Sequence, residues 1–237
     1  MSELPVTAGK GEVLWRSLAA TSGDVIAFVD SDLIVLANGG NIALGAVEAE
    51  DASEITLTAS GGIEATGTSL DDSDFTATAN GGSIALGNLT AAAGSDVSLT
   101  AVGSITAGDV ALEESPFTAT AGKDPETGVG IALNNVSALE GSDVSLDAVG
   151  SITALDVELG ESAFTAITRS SGGSIRLGDV TAEDSEGIDL EATGIEAGDI
   201  SLDGSPLEAD ALGGGIALGS VTAVDSDIEL KANEGIQ

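Results

Sequence analysis

The chain has 237 residues, and its 40 Asp and Glu against 6 Lys and Arg give a formal net charge of −34. Such a surface repels nucleic acid and anionic membranes and suits divalent cations, high salt or basic partners. Cys and His are both absent, which excludes disulfides, thiolate chemistry and imidazole as base or metal ligand. Aromatic residues make up 2% and Gly numbers 33, so the 42% of apolar residues suit a narrow aliphatic interior with small residues at its corners. No apolar run reaches the ~18 residues a spanning helix needs, so no membrane insertion is expected.

Residues 1–23 differ from the rest of the chain. Glu12–Thr21 (EVLWRSLAAT) lacks Gly and Pro, and Val13, Leu14 and Leu18 fall near helical spacing. That pattern predicts a short helix ended by Ser22-Gly23, able to cap whatever begins after it. Asp24–Val29 (DVIAFV) then reads as a short β run, followed by Asp30-Ser31-Asp32. The opening MSELPVTAGKGEVLWRS has no charged-then-apolar layout, so no signal peptide is expected in this chain. An extracellular or cell-surface location would make it part of a longer chain. The expected organisation is a helix–strand segment or cap over residues 1–32 and a repeat domain over residues 33–237.

Gly9 to Leu33, GKGEVLWRSLAATSGDVIAFVDSDL, resembles part of the nucleotide-sugar-binding half of glucosyl-3-phosphoglycerate synthases, which are GT-A-type retaining glycosyltransferases. The resemblance implies that Asp30 and Asp32 form an Asp-x-Asp motif holding Mg2+ or Mn2+, and through it a sugar-nucleotide diphosphate. It implies nucleotide contact for Lys10. The metal-binding His of that family has no counterpart in a chain without His. The same residues also fit the repeat text of the later chain, because SDLIVLANGG (Ser31–Gly40) lies over SDVSLTAVG (Ser95–Gly103). On that reading Asp32 is a coil corner.

From Leu33 to the end two related texts recur. GG-x-I-x-L-G stands at Gly39–Gly45, Gly81–Gly87, Gly172–Gly178 and Gly213–Gly219, and SD-V-S-L-x-A-V-G-S-I-T-A at Ser95–Ala107 and Ser142–Ala154. The unit is about 20–22 residues, the signature of a solenoid. Period-two alternation turns inward triplets such as Val97/Leu99/Ala101, pairs such as Ile84/Leu86, and a third set including Leu89, Val110 and Val221. Three short strands per unit make one coil of a parallel β-helix, an all-β fold. About ten coils stacked ~4.8 Å apart form a rod of roughly 45 Å. Inward positions are expected to keep their size class from coil to coil, and Lys123–Thr127 to bulge as a loop.

This repeat text resembles that of filamentous-haemagglutinin-type adhesins, which are long surface β-helices. The resemblance implies a structural or adhesive role without catalysis, with a surface carbohydrate or protein as receptor. Unpaired strand edges at the ends of a β-helix invite end-to-end self-association. Acidic corners at Glu48–Glu54, Asp71–Asp74, Glu183–Glu186 and Asp225–Asp227 offer hard oxygen ligands for Ca2+ or are solvated turns. Outward Thr pairs such as Thr56/Thr58 and Thr76/Thr78 are either ordinary strand residues or an ice-binding face. A polysaccharide-cleaving site would need Lys or Arg beside a carboxylate pair. Lys10, Arg16, Lys123, Arg169, Arg176 and Lys231 are scattered along the chain.

Overall fold

The computed structural model describes residues 26–122 and 130–237, with the backbone of residues 7–8, 13–15 and 25. It is a continuous stack of about ten coils whose strands form an eleven-stranded and an eighteen-stranded sheet, every pairing parallel. No helix occurs among the described residues. Each coil contributes one strand to the first sheet, as Val97–Ala101 does, and its remaining strands to the second, as Ile105–Ala107 and Val110–Glu113 do.

Inward side chains keep a fixed rhythm. The first strand buries every second residue; the return path buries residues at spacings of two, three and two, as in Ile105, Ala107, Val110 and Leu112. The step of three is the corner where the chain changes wall. Ile42–Glu50, Ile63–Asp71 and Ile84–Ala92 run through that corner as single strands, with main-chain pairing such as Gly67 beside Asn88 intact. From the next coil on, beginning with Ile105–Ala107 and Val110–Glu113, the strand is split in two. The side chains now take over the bonding: Asn88 Oδ1 accepts the Asp109 N–H at 3.1 Å, and Asp179 Oδ1 accepts the Asp199 N–H at 2.9 Å. Gly87 at this corner must be glycine, since a Cβ there would run into the Thr66 carbonyl oxygen, whereas Asn134 and Leu155 hold the equivalent place in later coils.

The interior is not uniformly like on like. Some columns are constant: Ile42, Ile63, Ile84, Ile105, Ile131, Ile152, Ile175, Ile195 and Ile216 lie in register, as do Leu89, Val110, Val136, Val157, Val180 and Ile200, and Ala37, Ala59, Ala79, Ala101, Ala121 and Ala148. Four other columns alternate. Along the first sheet Leu57, Ala77, Leu99, Ala119, Leu146, Ala166 and Leu190 are stacked in turn. On the second sheet Leu86, Ala107 and Leu133 pair with Ala91, Leu112 and Ala138 in opposite phase. At the first inward position Phe75, Val97, Phe117, Val144 and Phe164 alternate as well. At that position Phe75, Phe117 and Phe164 each share their strand with an inward Ala, and Val97 and Val144 with an inward Leu. This keeps the filled volume nearly constant from coil to coil. The sequence repeat of two units is the imprint of this packing, and the expectation that inward positions keep their size class holds for the isoleucine column, for the Leu89–Val110–Val136–Val157–Val180–Ile200 column and for the alanine column Ala37–Ala59–Ala79–Ala101–Ala121–Ala148, but not for the alternating ones.

Two further expectations change. Val13–Trp15, placed in a helix by its spacing, is a strand paired in parallel with Leu33–Val35. Stacking on the next coil satisfies its backbone along a whole edge, which outweighs a weak local helical preference. The rest of Glu12–Thr21 lies outside the described residues, as does the Lys123–Thr127 bulge. Val221, expected inward from the alternation, is 41% exposed. It belongs to the last coils, whose interior is open on one side, with Val224 and Ile236 about equally bare.

Candidate functional site

Asp30, Ser31 and Asp32 sit where Val25–Val29 turns into Leu33–Ala37, and both strands pair with the next coil. Stacking thus begins before residue 33. Asp30 takes a left-handed backbone, φ 50°, and its N–H donates to the Glu50 carbonyl at 3.2 Å. Asp32 Oδ1 accepts the Glu54 N–H at 3.2 Å. This is the first copy of a corner that recurs throughout. Asp72, Glu114, Glu161, Asp184 and Asp225 hold the same left-handed conformation, with Gly94, Gly141 and Gly204 at the equivalent place in other coils. Asp tolerates that region better than most residues with a Cβ, so part of the acidity of the corners comes from backbone geometry. Among the described residues no three carboxylates converge in a group able to hold a metal ion. Lys10, assigned to nucleotide contact, lies outside the described residues.

Behind each of these corners stands a serine, buried in all but the last, Ser226. Ser31, Ser53, Ser73, Ser95, Ser115 and Ser142 form a continuous ladder. Each N–H donates to the hydroxyl of the serine one coil on, at 2.9–3.1 Å, through to Ser162. Each hydroxyl donates back to a carbonyl two or three residues earlier, as Ser115 does to Glu113 at 2.8 Å. The ladder resumes at Ser185, Ser205 and Ser226. Ser185 is the irregular member: Glu186 and Gly187 put it three residues before the buried Ile188 instead of two, and its hydroxyl has no partner. Sequence reasoning missed this ladder. Its signal was a serine two residues before the first apolar residue of almost every unit, visible at Ser73/Phe75, Ser95/Val97 and Ser205/Leu207.

The outer face of the eleven-stranded sheet has two characters. Thr56, Thr76, Ser98 and Thr118 stack in one column and Thr58, Thr78, Thr100 and Thr120 in the next. Further along, the same columns hold Asp189, Glu208 and Glu229, and Glu191, Asp210 and Lys231. An open groove of about 720 Å³ lies beside this acidic stretch, lined by Thr165, Glu186, Asp189, Glu208, Asp227 and Glu229 among others.

The described cations reach across coils to neighbouring acids. Arg169 meets Asp147, Arg176 Nε donates to Glu196 at 2.7 Å, and Lys231 Nζ contacts Glu208 at 2.8 Å and Glu229 at 3.0 Å. The hydrogen bond and charge of Arg176 hold the Glu196 carboxyl below its usual range. Those of Glu208 and Glu229 push the Lys231 ammonium up. All of these groups but the half-buried Asp147 are solvent-exposed, so each pair mainly relieves local like-charge crowding.

Similarity to known proteins is confined to one short stretch. The glucosyl-3-phosphoglycerate synthase of Mycolicibacterium smegmatis is 76% identical over 34 residues, 14% of this chain and 11% of that protein. The synthase of Mycobacterium tuberculosis is 71% identical over 34 residues, and that of Mycolicibacterium paratuberculosis 65%. The chain therefore spans about a tenth of the length of the curated relatives it matches. No family model and no solved structure matches it.

Proposed function

We propose that this chain is a structural and adhesive scaffold, a segment of an extracellular or cell-surface β-solenoid that presents an acidic, Thr- and Ser-rich wall and carries no catalysis of its own. The observation that supports this reading is the in-register stack itself. One isoleucine column and one serine ladder run along the tube, and the acids at the corners serve the turn or face outward. A stiff rod of stacked main-chain hydrogen bonds holds surface groups at fixed separations, which is what a stalk or contact surface requires. The receptor is a surface carbohydrate or a protein with basic groups that complement the wall, and unpaired strand edges of a β-solenoid suit end-to-end association. Ca2+ at the acidic corners belongs to the same reading.

The short match to the synthases favours a second reading, a nucleotide-sugar-dependent glycosyltransferase or its inactive remnant, with Asp30, Asp32 and a divalent cation. Calorimetric titration of the whole chain with a uridine diphosphate sugar and Mn2+ separates the two. The scaffold reading expects no binding, with a rod-shaped scattering profile that survives removal of residues 1–23. Saturable binding that is lost in Asp30→Ala and Asp32→Ala would overturn it.

A further inference from the structure

We infer that the hydroxyl-bearing half of the eleven-stranded sheet is an ice-binding face, a function that goes beyond the scaffold reading and does not rest on it. The outward pairs of successive strands, from Thr56/Thr58 to Thr118/Thr120, form a rectangular array in register and without a bulge. Its spacings are about 4.8 Å between coils and about 6.7 Å along each strand. Every outward side chain in it is a Thr or Ser. That is conspicuous in a chain with 40 carboxylates and a net charge of −34.

The chemistry rests on what a solid water surface asks of a protein. Water in a lattice is met by hydroxyls that donate and accept, held at repeating separations, through an ordered water layer. A charged group keeps its own hydration shell and breaks that order; none stands within the array, and the carboxylates of Glu54, Asp74 and Asp96 border it at the preceding outward positions, where Thr56 Oγ1 donates to Glu54 Oε1 at 3.3 Å. Thr is stiff at χ1, and the side chains directly beneath the array, among them Leu57, Ala77, Leu99 and Ala119, are fully buried. The hydroxyls therefore need little further ordering on contact. A sugar polymer is a poorer occupant, because saccharide rings are commonly held on exposed aromatic faces and Phe28, Phe75, Phe117 and Phe164 are all buried. The array ends at Ile34 and Leu36 on one side and at Asp147 on the other.

The test is the growth of single ice crystals in the whole chain, with thermal hysteresis and crystal habit as readouts. The wild type is expected to facet the crystal and give a measurable hysteresis gap. Thr78→Tyr, at the centre of the array, is expected to lose most of that gap. Thr181→Tyr, on the exposed face of the other sheet, is expected to keep it, both at an unchanged melting temperature by circular dichroism. Thr100→Lys serves if Thr78→Tyr lowers that temperature. Rounded crystals with the wild type, equal hysteresis in Thr78→Tyr or Thr100→Lys and wild type, or retention on insoluble cellulose with no effect on ice would each overturn the inference.

Discussion

In the coils from Ile55 to Ala121 the outer face of the eleven-stranded sheet carries Thr and Ser; in those from Ile188 to Ala232 the same positions carry Asp189, Glu191, Glu208, Asp210 and Glu229. Behind both faces the interior is the same, with Leu and Ala alternating and the isoleucine column unbroken. The difference shows how the two sides of a solenoid strand are specified. The inward side is constrained by its neighbours above and below, which at the Leu/Ala columns leave room for one large group per pair of coils. The outward side answers only to solvent, so its chemistry can change while the fold does not.

If the interiors are equivalent, deleting the same group in each half should cost the same. Leu99→Ala and Leu190→Ala, both buried, are each expected to lose about 2–5 kcal/mol by urea unfolding. A clear difference between them would show that the two halves pack differently. The serine ladder predicts a contrast in place of an equality. Ser95→Ala strands the buried Ser73 N–H and the Ala92 carbonyl and should cost about 1–3 kcal/mol. Ser185→Ala removes a hydroxyl without a partner and should be close to neutral in the same assay. Thr68 breaks the aliphatic column between Val47 and Leu89 with another unpaired hydroxyl, so Thr68→Val should stabilise the chain by about 1 kcal/mol. The smallest effect concerns the outer faces. Stacked carboxylates repel across ~4.8 Å, so raising NaCl should lift the melting temperature. Asp189→Asn with Glu208→Gln should weaken that dependence, while Thr76→Ser leaves it unchanged.

Much of the solenoid was legible because strand periodicity and the repeat length are local signals. The inward residues Val97, Leu99 and Ile84 could be read from alternation alone. What escaped needed the third dimension. The Phe75–Val97–Phe117 alternation becomes a packing rule only when units are laid on one another at strand separation. Ser95 looks like any turn serine until the coil beside it supplies Ser73 and Ser115. Val13–Trp15 reads as helix because its pairing partner lies beyond any local window. For Asp30 and Asp32 the residue types alone fit two different chemistries. The backbone around them supplies the distinction the letters lack, since Asp30 shares its left-handed turn with Asp72 and Asp184.

The alternation can be tested by cutting coils out. Removing residues 75–96 joins Asp74 to Val97 and keeps the Ser-Asp corner, but sets Leu57 against Leu99, Leu70 against Leu112 and Ala65 against Ala107. Removing residues 75–116 joins Asp74 to Phe117 and restores Leu against Ala at every level. Thermal unfolding monitored by circular dichroism should find the longer deletion more stable than the shorter one, although it discards more of the stack. A shorter deletion that melts at or above the longer one would contradict the rule that large and small coils must alternate.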